Sequence, residues 1–464
     1  VSKKKKTIEE LLEKAIVTEE EQAYEVPDNW IWVKTETTND IVTGSTPAKK
    51  QSEYYGGDFP FVKPADLEQG SEVVYASEYL TDQGKVVSRI IPKESTMVCC
   101  IGSIGKVGFS TIECTTNQQI NSLVPNKKII NPKFNYYQVL NGFYQNELWN
   151  RSSATTVSIL NKGKMSLIPY VLPPLNEQKQ IADKVERLLN KMDAANQLIE
   201  EAKKSFELRR AAILDKAFRG ELTREWREST HEYISKKPNL GPYKLPIGWE
   251  WLKLGELGEL KRGKSKYRPR NDPKLFGGEY PFIQTGDVAR AKDYVKGFSQ
   301  TLSEFGYNQS KLFPVGTVCI TIAANIGDTA ILKFPCCFPD SVVGFVPFEK
   351  SVSSEFIHYY ISTIKNDLEH YAPATAQKNI NLKILNEILV PVPPLEEHDV
   401  LIKKVRNILE KEDEAKNHLA VENVVERVKQ SILSKAFKGE LGTNDPREEN
   451  AFELLKEVLK EQVK

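Results

Sequence analysis

Between Lys261 and Lys274 the chain carries Lys261, Arg262, Lys264, Lys266, Arg268, Arg270 and Lys274 against a single acid, Asp272. Folded onto one face, such a run holds a polyanion; left in solvent, it is a hydrated loop. The whole chain has a net charge of only +1, because acid-rich stretches such as Glu19–Glu21 and Glu410–Glu414 cancel the cations. A neutral total can therefore hide a basic face. Groupings that would make or break bonds are missing. Gly102-Ser103-Ile104-Gly105-Lys106 has the wrong spacing for a phosphate loop, and no glycine pattern opens a helix for a dinucleotide. Asn131-Pro132-Lys133 is the nearest approach to the Asn-Pro-Pro-aromatic tetrapeptide of adenine methyltransferases. The five histidines are scattered, and the six cysteines at 99, 100, 114, 319, 336 and 337 lack both Cys-x-x-Cys spacing and a nearby histidine. That argues against a zinc site and for reduced core thiols in a cytosolic, non-catalytic chain.

What must position any such groups is a scaffold that repeats itself after about 220 residues, too long for a solenoid repeat and right for a domain plus a helix. Pro-Pro-Leu-Asn-Glu-Gln at Pro173–Gln178 returns as Pro-Pro-Leu-Glu-Glu-His at Pro393–His398. Ile-Leu-Asp-Lys-Ala-Phe-Arg-Gly-Glu-Leu at Ile213–Leu222 returns, with two changes, at Ile432–Leu441. Pro27, Trp30 and Trp32 match Pro246, Trp249 and Trp251, and Gly56–Phe61 matches Gly277–Phe282. Two folding units related by a pseudo-two-fold follow from this.

Residues 1–24 hold a short amphipathic helix, with Ile8, Leu11, Leu12 and Ala15 at helical spacing. Its basic start lacks the apolar stretch of a secretory signal, and no run in the chain is apolar enough to cross a bilayer. Residues 25–172 break into short apolar runs punctuated by Gly, Pro and Asn, with one helix near Phe134–Tyr144. Over 173–222, Ile181, Val185, Leu188, Met192, Ala195, Ile199, Ala202 and Phe206 step by four and three, a heptad seam on one long helix. After a polar linker, 223–243, the plan repeats as a strand-rich region over 244–392 and a second long helix over 393–441. The second seam, Leu401, Val405, Ile408, Ala415, Leu419, Val425, Val428 and Ile432, slips by one residue between Leu419 and Val425. Residues 442–464 add a short helix at Phe452–Leu459. Each long helix has one apolar stripe to bury, and two-fold symmetry lets them bury it on each other in antiparallel fashion. The fold class expected is α+β: two globular strand-rich domains separated by an antiparallel coiled coil, a dumbbell with internal repeat. Tyr136-Tyr137, Tyr359-Tyr360, Trp30 and Trp249 are expected in the cores.

Two variable regions alternating with two helices, each opened by Pro-Pro-Leu-x-Glu-Gln/His and closed by Lys-Ala-Phe-x-Gly-Glu-Leu, resemble the DNA-specificity subunit of type I restriction–modification systems. The likeness covers residues 25–222 and 244–441. The Gly-Gly-x-aromatic-Pro-aromatic stretches and Thr43-Gly44-Ser45-Thr46-Pro47 also resemble the start of target-recognition domains; Arg262-Gly263-Lys264-Ser265-Lys266 departs from that pattern. The resemblance implies a split, asymmetric DNA site, one half for each target-recognition domain, with the helical rod setting the gap. It further implies two methylation subunits and two restriction subunits as partners, with S-adenosylmethionine, ATP and Mg bound by them and no cofactor or metal here. Candidate phosphate contacts are Lys49, Lys50 and Lys63 in the first domain and Lys261, Arg262, Lys264 and Lys266 in the second. Thr43, Ser45 and Thr46 of the motif are further candidate DNA contacts, and candidate base-reading groups are Thr116, Asn117, Gln118 and Gln119, then Gln284, Thr285, Asp287, Gln377 and Lys378, because amides pair with base edges. The same polar residues equally suit loops and turns. A coiled-coil scaffold that binds proteins, or the specificity subunit of a related restriction class, is the alternative reading.

Overall fold

The computed structural model describes residues 7–154, 157–230, 241–323, 325–371, 380–419, 422–441 and 450–463. The chain divides into two compact units, Val1–Ile199 with Val421–Lys464, and Glu200–Ala420. These boundaries cut across the sequence repeat, one of them inside the helix Leu175–Phe218.

In unit 1 a four-stranded antiparallel sheet runs Asn39–Thr43, Ile120–Pro125, Thr96–Cys99, Val107–Phe109 in spatial order. A second sheet runs Glu78–Leu80, Tyr55–Val62, Cys114–Thr116, Ile90–Ile91, with Tyr55–Val62 and Cys114–Thr116 parallel. Ile31–Lys34 pairs with Pro169–Leu172, so the two ends of the domain meet just before the long helix. Unit 2 repeats the plan. Its sheets run Gly258–Arg262, Val342–Pro347, Val318–Thr321, Thr329–Leu332, and Gln300–Leu302, Phe276–Phe282, Cys336–Cys337, Leu312–Phe313, with Glu250–Lys253 closing on Leu389–Val392. Unit 2 adds one edge strand, Tyr294–Val295, parallel to Thr329–Leu332. All six cysteines are free and buried, five on these strands and Cys100 just past the end of Thr96–Cys99, and burial raises Cys100, Cys114 and Cys336 to about 12, which leaves them inert thiols.

The repeated motifs explain themselves as fasteners. The central helix spans Leu175–Phe218. At its start the buried Trp30 indole donates to Glu177 at 2.7 Å, and Gln178 accepts from the Asn131 N–H at 2.7 Å while donating to the Ile129 and Pro173 carbonyls. In unit 2 the Ser353 N–H donates to His398 Nε2 at 3.1 Å. Asn131 and Ser353 each cap a domain helix, so both motifs clip a long helix to the same place. At the other end, Gly220 and Gly439 take left-handed φ of 69° and 74°, and Glu221 and Glu440 donate five residues back to Lys216 and Lys435. This is a Schellman stop, which a side chain at glycine would strain.

Within unit 1 the closing motif of the second repeat completes the core of the first domain: Phe437 lies 5.2 Å from Phe134, centroid to centroid. Within unit 2 Phe218 sits 5.2 Å from Phe356 and 5.1 Å from Tyr360. Both long helices run antiparallel where they meet. In unit 1 Lys184 donates to the Leu441 carbonyl and Asp193 pairs with Lys429; in unit 2 Lys404 donates to the Leu222 carbonyl at 3.1 Å, and Arg209 pairs with Glu412 at 3.1 Å. Leu188, Met192, Ala195, Ile199, Ala202 and Phe206 of the seam are half-buried, as a two-helix contact allows.

Three elements differ from the sequence expectation. The distal helix is two segments, Leu395–Asn417 and Glu422–Phe437, and the interruption falls where the seam slips. Carrying one helix through a one-residue slip would turn the second stripe away by about 100°. The helix near Phe134–Tyr144 is also two, Pro132–Leu140 and Gly142–Asn150, because extended Asn141 ends one and its side chain caps the next. The linker after 223 starts with a helix, Arg224–Thr230. The N-terminal helix is Ile8–Ala15, closed at its start by a Thr7–Glu10 capping box, and within unit 1 it packs on the C-terminal helix Ala451–Val463.

Candidate nucleic-acid interface

Strand Asn39–Thr43 runs out beside the loop that joins Cys114–Thr116 to Ile120–Pro125, and this crossing gathers most of the first domain's candidates. Thr43 donates to Asn121 Oδ1 at 2.7 Å, the Ser45 N–H donates to the Thr116 carbonyl at 2.9 Å, and the Thr46 hydroxyl donates to Gln118 Oε1. Asn117 Nδ2 donates to Gln119 Oε1 at 2.9 Å and its Oδ1 accepts the Gln119 N–H at 3.1 Å. Gln118 is exposed, whereas Thr116 is wholly buried with its hydroxyl facing the backbone of Gly44. Of these two, Gln118 is the one able to reach a ligand. Lys49 and Lys50 stand exposed on the following turn, which Tyr55 ties down by donating to the Pro47 carbonyl at 2.7 Å. Lys63 follows Val62, the partner of Thr116, and pairs with Glu78 at 2.6 Å.

The crossing is tight. A Cβ on Gly44 would lie 2.2 Å from the Asn117 carbonyl oxygen and 2.3 Å from that of Thr116, and on Gly263 it would lie 2.3 Å from the Pro339 oxygen. Backbone atoms cannot swing aside as side chains do. Gly44→Ala is thus expected to cost about 1–3 kcal/mol through forced strand separation. Thermal unfolding checks this, and an unchanged midpoint would show that the crossing is looser than described.

In the second domain Gly263 occupies the equivalent crossing. The Lys264 N–H donates to the Phe338 carbonyl at 3.1 Å, Arg262 donates to the Asp340 carbonyl, and Arg270 pairs with the Asp340 carboxylate at 3.0 Å. Lys261 is paired with Glu259. Lys264, Lys266, Gln284 and Thr285 come together around a cavity of about 160 Å³, together with Tyr267 and Ser341. Gln284 Nε2 donates to Gln300 at 2.7 Å. Asp287 is engaged locally: it accepts the Gln284 N–H at 2.8 Å, capping Thr285–Arg290, and pairs with Arg290 at 2.6 Å. Gln377 and Lys378 lie outside the described residues. Tyr136, Tyr137, Tyr359 and Tyr360 are buried in the cores, as are Trp30 and Trp249.

Two cations at these crossings escaped the reading of the sequence. Arg89 NH1 donates to the Thr43 carbonyl at 2.8 Å. Lys311 lies near Lys261 and Lys264, and its ammonium is held below the usual lysine range by burial and by those two charges. A signal was present: Ser88-Arg89-Ile90-Ile91-Pro92 returns as Ser310-Lys311-Leu312-Phe313-Pro314.

Among the described residues no group of His, Cys, Asp and Glu side chains forms a metal-ligand cluster, and no helix is long and apolar enough to cross a membrane. The family model described as type I restriction modification DNA specificity domain matches the chain twice, over residues 27–204 and 246–423. The specificity subunit of the type I restriction enzyme EcoBI from Escherichia coli is 26% identical over 435 residues, spanning 90% of this chain and 87% of that one. A chain solved in work on complex assembly and conformational transition of the type I R-M system has a TM-score of 0.72 at 22% identity, covering 90% of this chain and 100% of its own. The HsdS subunit from Thermoanaerobacter tengcongensis has a TM-score of 0.54 at 21% identity, covering 91% and 100%. At these identities the two structures establish a shared fold.

Proposed function

This chain belongs to the family of type I restriction modification DNA specificity subunits, and on that premise we propose that its two domains each read one half of a split, asymmetric duplex site. The reading rests chiefly on one observation. Two domains of the same topology present different polar groups at the same strand crossing: Thr43, Ser45, Thr46, Asn117, Gln118 and Gln119 in one, Arg262, Lys264, Lys266, Gln284 and Thr285 in the other. A common scaffold with divergent edges is what reading two different base sequences requires. Lys49, Lys50, Lys63, Lys261 and Arg262 add the phosphate contacts that fix register. Lys63 and Lys261, now paired with carboxylates on the surface, exchange weak ion pairs for phosphate.

The central helix, 44 residues, is about 66 Å long at 1.5 Å per residue. In this proposal it serves with the distal helix as the ruler between the half-sites, converting helix length into a gap of unread base pairs. The chain itself performs no chemistry. It delivers two methylation subunits and two restriction subunits to the site, and these carry S-adenosylmethionine, ATP and Mg.

Selection from random duplex DNA, using the full chain assembled with its own methylation subunit at near-physiological salt, tests the reading. A split motif with a fixed gap is the expected result, and replacing residues 25–172 should alter one half of it only. Enrichment of no sequence would favour a protein-binding scaffold instead.

A further inference from the structure

Arg89 and Lys311 occupy one structural position in two different domains. Thr81 and Ser303 each cap a five-residue helix, Asp82–Val86 and Glu304–Asn308. Each helix leads to a two-residue strand, Ile90–Ile91 or Leu312–Phe313. The strands keep the same register, Ile90 with Thr115 and Ile91 with Cys114 in one domain, Leu312 with Cys337 and Phe313 with Cys336 in the other. Arg89 and Lys311 immediately precede these strands, and both stand over the crossing described above. Arg89 is anchored to the Thr43 carbonyl, and Lys311 lies within electrostatic reach of Lys261 and Lys264.

Neither cation is matched with an acid. Among the described residues no carboxylate lies within ion-pair distance of Arg89 or Lys311, whereas Lys85 pairs with Glu113, Lys63 with Glu78 and Arg270 with Asp340; Lys264, whose charge acts on Lys311, likewise has no acid partner among the described residues. Glu259 offsets the Lys261 and Lys264 charges on Lys311 only in part, being itself bonded to Lys261. The surface beside them is open, since Ile90 is 36% and Leu312 41% exposed. An uncompensated cation kept above an otherwise polar crossing in both domains calls for an anion from outside the chain.

We propose that Arg89 and Lys311 each hold a backbone phosphate of the DNA, one in each half-site, as an anchor independent of base sequence. This rests on the DNA-reading function proposed above and adds to it the group that is bound. The choice of phosphate over a base edge follows from the exchange of Arg for Lys between domains. Arginine can read guanine with a planar two-pronged fork, whereas lysine presents a point charge. A position that tolerates both, while the groups around it diverge, performs the task the two share.

The test is the salt dependence of binding by the full chain, assembled with its methylation subunit, to the duplex recovered by selection, between about 50 and 200 mM salt. Arg89→Gln and Lys311→Gln should each lower the slope of log affinity against log salt by about one, and the double variant by about two, with affinity reduced up to about tenfold per site. The selected bases should not change, and Arg89→Lys and Lys311→Arg should keep the parent slope. Unchanged thermal midpoints establish that the variants fold. An unaltered slope at either position, or relaxed base choice with the slope intact, overturns the anchor role. If the parent complex retains no DNA even at low salt, the DNA-reading function itself fails, an outcome distinct from failure of the anchor alone.

Discussion

Phe437→Ala is expected to weaken the first domain, although Phe437 closes the second sequence repeat. Its ring is fully buried in the unit 1 core, 5.2 Å from Phe134, and joins Leu433 and Ala436 there. Truncating a buried phenylalanine costs about 3–5 kcal/mol, from lost transfer energy and the cavity left behind. That is a large part of the roughly 5–15 kcal/mol that stabilises a typical domain. Amide hydrogen exchange on the full chain should therefore show lost protection over 27–172 with 246–371 unaffected, and selection should blur the first half-site while keeping the second. Phe218→Ala should do the reverse through Phe356 and Tyr360. Lost protection in the second domain after Phe437→Ala would refute the exchange of closing motifs between repeats.

A comparably large loss is expected for Arg227→Met. Glu397 of the second opening motif is fully buried, and its carboxylate accepts from Thr223 at 2.6 Å and from Arg227. Arg227 NH2 also donates to the Gly220 carbonyl at 2.8 Å, fastening the helix stop. Removing the guanidinium leaves a buried carboxylate with its charge uncompensated, which costs about 3–5 kcal/mol. Arg227→Met with Glu397→Gln should recover much of that loss, because no net charge then remains buried. Denaturant unfolding of both variants measures it. If the single variant were as stable as the parent, water or another cation would already be neutralising Glu397.

Much of this architecture is legible in the chain because the relevant signals are periodic or repeated. The heptad from Ile181 to Phe206 specifies a long helix with one stripe, and the Pro-Pro and Phe-x-Gly-Glu motifs mark where each helix starts and stops. Even the one-residue slip after Leu419 is visible, although a slip alone does not distinguish a bend from the break found between Asn417 and Glu422. The candidate sites were read less completely. Thr43, Thr46 and Gln118 converge as their types suggest, but Asp287 is used as a helix cap and Thr116 is buried. A carboxylate three residues after a cap and a hydroxyl on a buried strand look the same in sequence as ones that face a ligand. Arg89 and Lys311 were overlooked because a single cation in an apolar setting shows no chemistry by itself; the match of Ser88–Pro92 with Ser310–Pro314 pairs them in sequence, and the aligned strands place them at the same address.

The sequence by itself determined that the chain is two copies of one domain plan, each followed by a helix with a defined start and stop. It did so because helix periodicity, caps and repeated motifs are local, set by residues a few positions apart. Only the tertiary structure decided which pieces complete which core: Phe437 seats on Phe134, Glu397 receives Arg227, and the compact units run across the repeat boundary. Those contacts join residues well over a hundred positions apart in the chain, 170 for Arg227 and Glu397. Repetition leaves Phe218 and Phe437 chemically equivalent, so either could fill either core on pattern alone, and only the folded path of the chain assigns each its place.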